Sequence, residues 1–130
     1  MDPRCRVELL GRLRVTQGER EVTRFRTQKT GALLGYLAYH LERSHPREVL
    51  VELLWPGTSP LAGSQSLRGA LSSLRRQLEP PSIPSGTLIQ ADRFSVRLNP
   101  DAVVTDVAEF ATVQRSAAEA AGEPRPRGRH

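Results

Sequence analysis

Prolines cut the middle of the chain into two amphipathic segments, and this punctuation constrains the fold more than any other feature. "HPREVLVELLWPG" carries Pro46 in what reads as the first turn of a helix, where no amide partner is lost, and stops at Pro56-Gly57. "TSPLAGSQSLRGALSSLRRQLEPP" offers Ser59 before Pro60, a hydroxyl cap followed by a proline suited to the first helical position, with a later start near Ser64 as the alternative, and ends at Pro80-Pro81. Only the tight break "WPGTSP" separates the two. Leu50, Leu53 and Leu54 form the expected buried face of the shorter helix. In the longer one Leu67, Ala70, Leu71, Leu74 and Leu78 share one stripe at helical spacing.

The opposite side of the longer helix is unusual. It presents Gln65, Gly69, Ser72 and Arg76, flanked by Arg68, Ser73 and Arg75, with no acid from Ser64 to Leu78. Exposed helices ordinarily mix Glu with Arg and favour i,i+4 pairs. A helix that enters a DNA groove needs the opposite: small residues for backbone clearance, here Ser64, Gly69, Ser72 and Ser73, and forked donors for guanine edges or phosphates, here Arg68, Arg75 and Arg76. Gln65, early in the helix, suits an adenine edge.

The flanking segments complete the pattern. Val7 and Leu9, then Leu13 and Val15, alternate with polar residues at a period of two, and Gly11 and Gln17-Gly18 are turn signals, so the first 25 residues read as a small antiparallel sheet finished by Val22 and Phe25. "RTQKTGALLGYLAYHLERS" is a helix with Leu33, Leu34, Leu37, Ala38 and Leu41 on its buried stripe, capped by Thr27 or Thr30. Residues 88–98 read as a hairpin turning at Ala91-Asp92-Arg93, with Phe94, Val96 and Leu98 facing one way. The expected fold class is therefore α+β: a winged helix-turn-helix with an N-terminal antiparallel sheet, three helices and a C-terminal β-hairpin wing. Residues 5–100 form that domain, 101–118 lead into a further helical region, and 119–130, rich in Arg, Pro and Gly, form a disordered tail.

Composition agrees. The formal net charge is +5 and nearly all the positive charge is arginine, with Lys29 the only lysine, which favours an acidic partner such as double-stranded DNA. Cys5 is the only cysteine, so neither an intrachain disulfide nor a cysteine zinc site fits. No segment approaches the apolar length of a membrane helix and the start does not read as a signal peptide, so the expected location is cytoplasmic, with no membrane partner.

Four stretches, "LLGRLRV", "GALLGYLAYH", "ELLWP" and "SLRGALSSLRRQLE", resemble the DNA-binding domain of the Streptomyces antibiotic regulatory protein family, which carries an OmpR-type winged helix. The resemblance spans roughly residues 5 to 113. It implies a transcriptional activator, monomeric when free, that binds direct repeats at promoters as a head-to-tail dimer. It implies contact with RNA polymerase or its sigma factor through the loop that begins Pro56, Gly57, Thr58, Ser59 and runs to Gly63. By position it places Gln65, Ser66, Arg68, Ser72 and Arg75 or Arg76 at DNA, with Arg93 at the wing tip, and Ser64 joins the DNA-binding set from its place among the small residues that give clearance. Three departures stand out. "ADRF" lacks the family's usual wing glycine. Ser66 and Gly69 stand where Asn and Gln are common, which lowers the expected number of base-specific bonds. The family's helical activation domain does not follow the lead-in "TDVAEFATVQRSAAEAAG", so a truncated chain or a stand-alone DNA-binding domain is expected.

Other chemistry finds little support. His40 and His45 have no Cys or tight Asp/Glu cluster beside them, no G-x-S-x-G elbow appears, and "GTSPLAG" is a turn rather than a phosphate cradle, so no catalytic residue, metal or cofactor is expected. Trp55 reads as core and Cys5 as an ordinary thiol. The alternative function is a winged-helix module that docks on the transcription machinery without reading DNA. That reading calls for apolar anchors on the outer face of the longer helix, and the face has none.

Overall fold

The N-terminal alternation becomes strands β1 (Cys5–Glu8), β2 (Arg14–Gln17) and β3 (Arg20–Val22), paired antiparallel with Val7 opposite Val15 and Val15 opposite Val22. Cys5, Val7 and Val15 are buried, while Glu8 on the outer face accepts from Arg6 at 3.2 Å and Arg14 at 2.6 Å. The computed structural model describes residues 4–120, which form four helices and two sheets in a mixed α+β fold.

Helix α1 (Gln28–Tyr39) is capped by Thr27, whose hydroxyl accepts from the Thr30 amide at 3.1 Å. Its stripe of Leu33, Leu34, Leu37 and Ala38 is buried, but the helix stops at His40, leaving the partly buried Leu41 beyond its end. Strand β4 (His45–Pro46) follows, then α2 (Arg47–Leu54). Pro46 therefore precedes the helix instead of opening it, because its backbone is already engaged as a strand.

Leu50 and Leu54 point into the core, but Leu53 is 50% exposed, which corrects its assignment to the buried face. The cause is the approach of α3 (Pro60–Leu78) on the Val51 side of α2. Gly63 makes that approach possible: a Cβ there would lie 2.4 Å from Val51 Cγ1. Ser59 caps α3, its hydroxyl accepting from the Ala62 amide at 3.2 Å, with Pro60 at the first helical position. The α3 stripe Leu67, Ala70, Leu71, Leu74 and Leu78 is buried as expected. Ser73 is buried too, which removes it from the open face. It lies on the flank of Gln77, where Gln77 Nε2 donates to the Arg24 carbonyl at 2.8 Å, so the segment leading into α1 lies against that flank.

Strands β5 (Ile89–Ala91) and β6 (Ser95–Leu98) form the expected hairpin, with Ile89, Val96 and Leu98 buried. Strand β4 pairs with the other edge of β6, giving a three-stranded sheet of order β4-β6-β5. Phe94 does not share the inward face of Val96 and Leu98; it belongs to the turn and is 74% exposed. Strand β7 (Val103–Thr105) then returns to the first sheet and pairs parallel with β1, Cys5 opposite Val103, so the order there is β3-β2-β1-β7.

A fourth helix, α4 (Asp106–Ala120), occupies the segment read as a lead-in. Its first residue ties it to the sheet: the two Asp106 carboxylate oxygens accept from the Leu9 and Leu10 amides at 2.8 and 2.9 Å. Of the segment expected to be a tail, positions 119 and 120 close α4 and the rest lies outside the described residues.

Candidate nucleic-acid interface

At 100° per residue Gln65, Arg68, Gly69, Ser72 and Arg76 fall on one stripe of α3, and a stripe of that span is about 16 Å long. Gln65, Arg68, Ser72 and Arg76 are exposed and Gly69 is half-buried. A Cβ added at Gly69 would meet nothing within 4 Å, so the face is open at its centre. Arg68 makes no hydrogen bond or ion pair with the described residues. Arg76 Nη1 donates to the Ser72 hydroxyl at 3.2 Å, a bond one turn long that holds the guanidinium along the helix surface. Ser64 is exposed and Ser66 half-buried at the start of the same helix.

Arg75 is placed differently. It turns from the open stripe, half-buried, and its Nη1 donates to Glu79 at 3.0 Å and to the Ser85 hydroxyl at 3.3 Å. The Glu79 carboxylate is almost wholly enclosed. Burial pushes it up, but the amides of Ile89, Leu88 and Gly86 together with the Arg75 guanidinium more than offset this and hold it below the usual carboxylate range. In the sequence Glu79 is simply the first acid after the run from Ser64 to Leu78. The signal was its position: a carboxylate at a helix C-terminus opposes the macrodipole and needs another reason to be there.

The start of α1 lies beside the start of α3. Arg26, Thr27, Lys29 and Thr30 from one side, and Gln65, Ser66 and Gly69 from the other, line a cleft of about 380 Å³ with Trp55 in its wall. Lys29 Nζ donates to the Leu54 carbonyl at the end of α2, answering one of that helix's orphan acceptors. Trp55 itself is partly buried against the core. The loop Pro56, Gly57, Thr58 and Ser59 is exposed. Gly57 has φ +82°, which favours glycine there, and the Thr58 hydroxyl donates to the Trp55 carbonyl at 2.8 Å.

The wing turn closes without glycine. One Asp92 carboxylate oxygen, Oδ1, accepts from the Phe94 and Ser95 amides, both at 2.8 Å, doing with a side chain what a positive φ would otherwise do. These amide bonds, Phe94's first, hold the Asp92 carboxyl below its ordinary value. Arg47, at the start of α2, donates through its backbone amide to the Phe94 carbonyl and through Nε to the Asp92 carbonyl, both at 2.8 Å. Arg93 is exposed at the tip these bonds make rigid.

The remaining candidates are structural. His45 is buried, its Nε2 placed 3.2 Å from the His40 carbonyl, and burial pushes its imidazole below the ordinary histidine value. Among the described residues no group of three or more His, Cys, Asp or Glu could hold a metal ion, and no helix is long and apolar enough to cross a membrane. Cys5 is buried, and desolvation pushes its thiol up to about 11 against an opposing pull from the Arg20 charge.

A tight-turned helix pair whose second member offers an open basic face, followed by a hairpin, places the chain in a mixed α+β class of fold. The solved structure of Mycobacterium tuberculosis EmbR in complex with a low-affinity phosphopeptide is similar, with a TM-score of 0.77 and 27% sequence identity. The match covers 91% of this chain and 31% of that one, so this chain spans about a third of its neighbour's length. No protein-family profile and no curated protein sequence matches the chain. The likeness supports the OmpR-like fold of the antibiotic-regulator resemblance.

Proposed function

We propose that this chain is the DNA-binding part of a transcriptional regulator, an OmpR-type winged helix that reads sequence with α3 in the major groove and sets its wing tip, Arg93, against the backbone or minor groove. The observation that carries the reading is the α3 stripe: exposed, free of acid, open at Gly69, and bearing Gln65, Arg68, Ser72 and Arg76. Fold likeness to EmbR supports it at the coarse level of a DNA-binding regulator. Within this reading Arg68, with no competing partner among the described residues, is the base reader, and Arg76 serves phosphate. Arg75, engaged by Glu79, lies to the side of the stripe.

The finer part of the proposal is a cytoplasmic activator that occupies direct repeats as a head-to-tail pair. The loop Pro56–Ser59 meets RNA polymerase or its sigma factor; the exposed Leu53 and Leu61 flank it and supply apolar contact that the α3 stripe lacks. Those leucines are also the observation that favours the second reading, docking on the transcription machinery without DNA.

Fluorescence anisotropy with the whole chain tests the choice. Random duplex and promoter fragments are titrated across a salt series. Salt-sensitive binding, tighter on a fragment containing direct repeats, is the expected result. Failure to bind any duplex at low salt overturns the DNA reading in favour of the protein-docking one.

A further inference from the structure

The end of α3 and the start of the wing meet at the Glu79 carboxylate, whose side chain is 1% exposed. Oε2 accepts from the Leu88 amide at 2.7 Å and the Ile89 amide at 2.8 Å. Oε1 accepts from the Gly86 amide at 3.2 Å and Arg75 Nη1 at 3.0 Å. Four donors from two elements and the intervening loop therefore converge on one group that belongs to α3's last turn. Apart from its local turns, the loop at 80–88 is held by Arg75 Nη1, which donates to the Ser85 hydroxyl at 3.3 Å, and by Asn99, whose backbone amide and Nδ2 donate to the Leu88 and Thr87 carbonyls at 2.8 and 3.1 Å, so Glu79 carries most of its bonds to the helix. A buried carboxylate with its oxygens saturated is a rigid joint, since loss of any donor leaves charge uncompensated.

We propose that Glu79 is a positioning residue for DNA binding: it locks the wing to the reading helix as one body, so that Arg93 meets the duplex at a fixed offset from Arg68 and Arg76. This rests on the DNA reading above. Glu79 is enclosed and negative, so it acts only through the groups it holds.

The test is a double-mutant cycle on the whole chain, read by anisotropy on the duplex that the wild type binds best, with circular dichroism confirming that each variant is folded. Glu79→Gln keeps the shape, but its one oxygen serves only Leu88 and Ile89, and its amide then faces the Gly86 N–H and the Arg75 guanidinium donor to donor. Arg93→Ala is expected to weaken the wild type by about tenfold, as for a lost charge-assisted contact. In the Glu79→Gln background the same change is expected to cost less, about threefold to fivefold, because the base of the hairpin has loosened from α3 while the Arg47 bonds still hold the tip to α2. Arg68→Ala is expected to cost the same factor in both backgrounds, a pattern that general loosening of the fold does not produce. Equal cost of Arg93→Ala in both backgrounds overturns the positioning role while leaving the DNA reading intact. A wild type that binds no duplex overturns the DNA reading and the positioning role with it. Should Glu79→Gln fail to fold, Glu79→Asp, one methylene short but still charged, carries the same cycle under the same criteria.

Discussion

Three arginines on one helix look equivalent in sequence, and the structure separates them by what each already touches. Arg75 answers a buried carboxylate, Arg76 lies along a neighbouring serine, and Arg68 has no partner among the described residues. Arg68→Ala is accordingly expected to lower discrimination between cognate and mismatched duplexes by about 1–3 kcal/mol, the worth of a bidentate base contact. Arg76→Ala is expected to weaken all duplexes alike and reduce the salt slope by about one. Competition titrations with single-base variants of the best duplex check both; identical behaviour of the two variants would sink this division of labour. Cys5 gives a second prediction. Its thiol pKa is raised to about 11 by burial, so the native protein holds it protonated where an exposed thiol ionises. Alkylation by iodoacetamide near pH 8.5 is expected to be slow in the native protein and rapid in urea. The same shift contributes stability that is complete below the ordinary thiol value of 9.0 and lost as pH rises through about 11. Single residues were the least legible scale in the sequence. Periodicity placed Ser73 at the edge of the open face and Phe94 in line with Val96 and Leu98. What decides the first is a neighbour distant in sequence, the chain at Arg24 beside Ser73's flank, and what decides the second is a local side-chain bond, the Asp92 turn, that periodicity does not register.

Helices and hairpin were legible because each has local causes. The caps at Thr27 and Ser59, Pro60 at the first position of α3 and the leucine stripe of α3 are where the sequence puts them, and the α1 stripe loses only Leu41, which lies past the helix end. Strand β4 was not, since His45–Pro46 has no alternation to read and exists only because the edge of β6 is there to pair with it. The wing turn was legible as a turn but not as a mechanism, because the expected glycine is replaced by a carboxylate that satisfies the same amides. At this scale the contact between α2 and α3 is the sharpest constraint on the proposed reading geometry. Gly63→Ala pushes a methyl to 2.4 Å from Val51 Cγ1, so the helices must part or Val51 must turn. An overpacking cost of about 1–3 kcal/mol is expected in urea denaturation. The double variant Gly63→Ala/Val51→Ala is expected to recover part of it, because the obstructing methyl groups are gone; no recovery would place the strain elsewhere.

For the whole molecule the proposed DNA contact predicts a linear fall of log affinity with log salt, with a slope of about −0.9 for each phosphate neutralised. A duplex with two tandem sites is expected to bind a second copy more tightly than the first, while a single site saturates with one, and sedimentation of the complexes distinguishes the two stoichiometries. The candidate interface was more legible than its supports. The open face of α3 and the exposed tip at Arg93 follow from residue type and spacing, whereas the groups that fix them relative to each other, Glu79, Asp92 and Arg47, act through backbone atoms that no side-chain pattern announces.

The parallel pairing of β1 with β7 also has a consequence in time. Strand β1 finds β2 a few residues later, but its other edge is filled only by residues 103–105. At ribosomal rates the interval is on the order of ten seconds, during which an open strand edge carries Cys5 and Val7 beside it. Nascent chains are thus open to pairing with each other until β7 emerges, and the charged outer residues Arg6 and Glu8 on that strand are placed to discourage it.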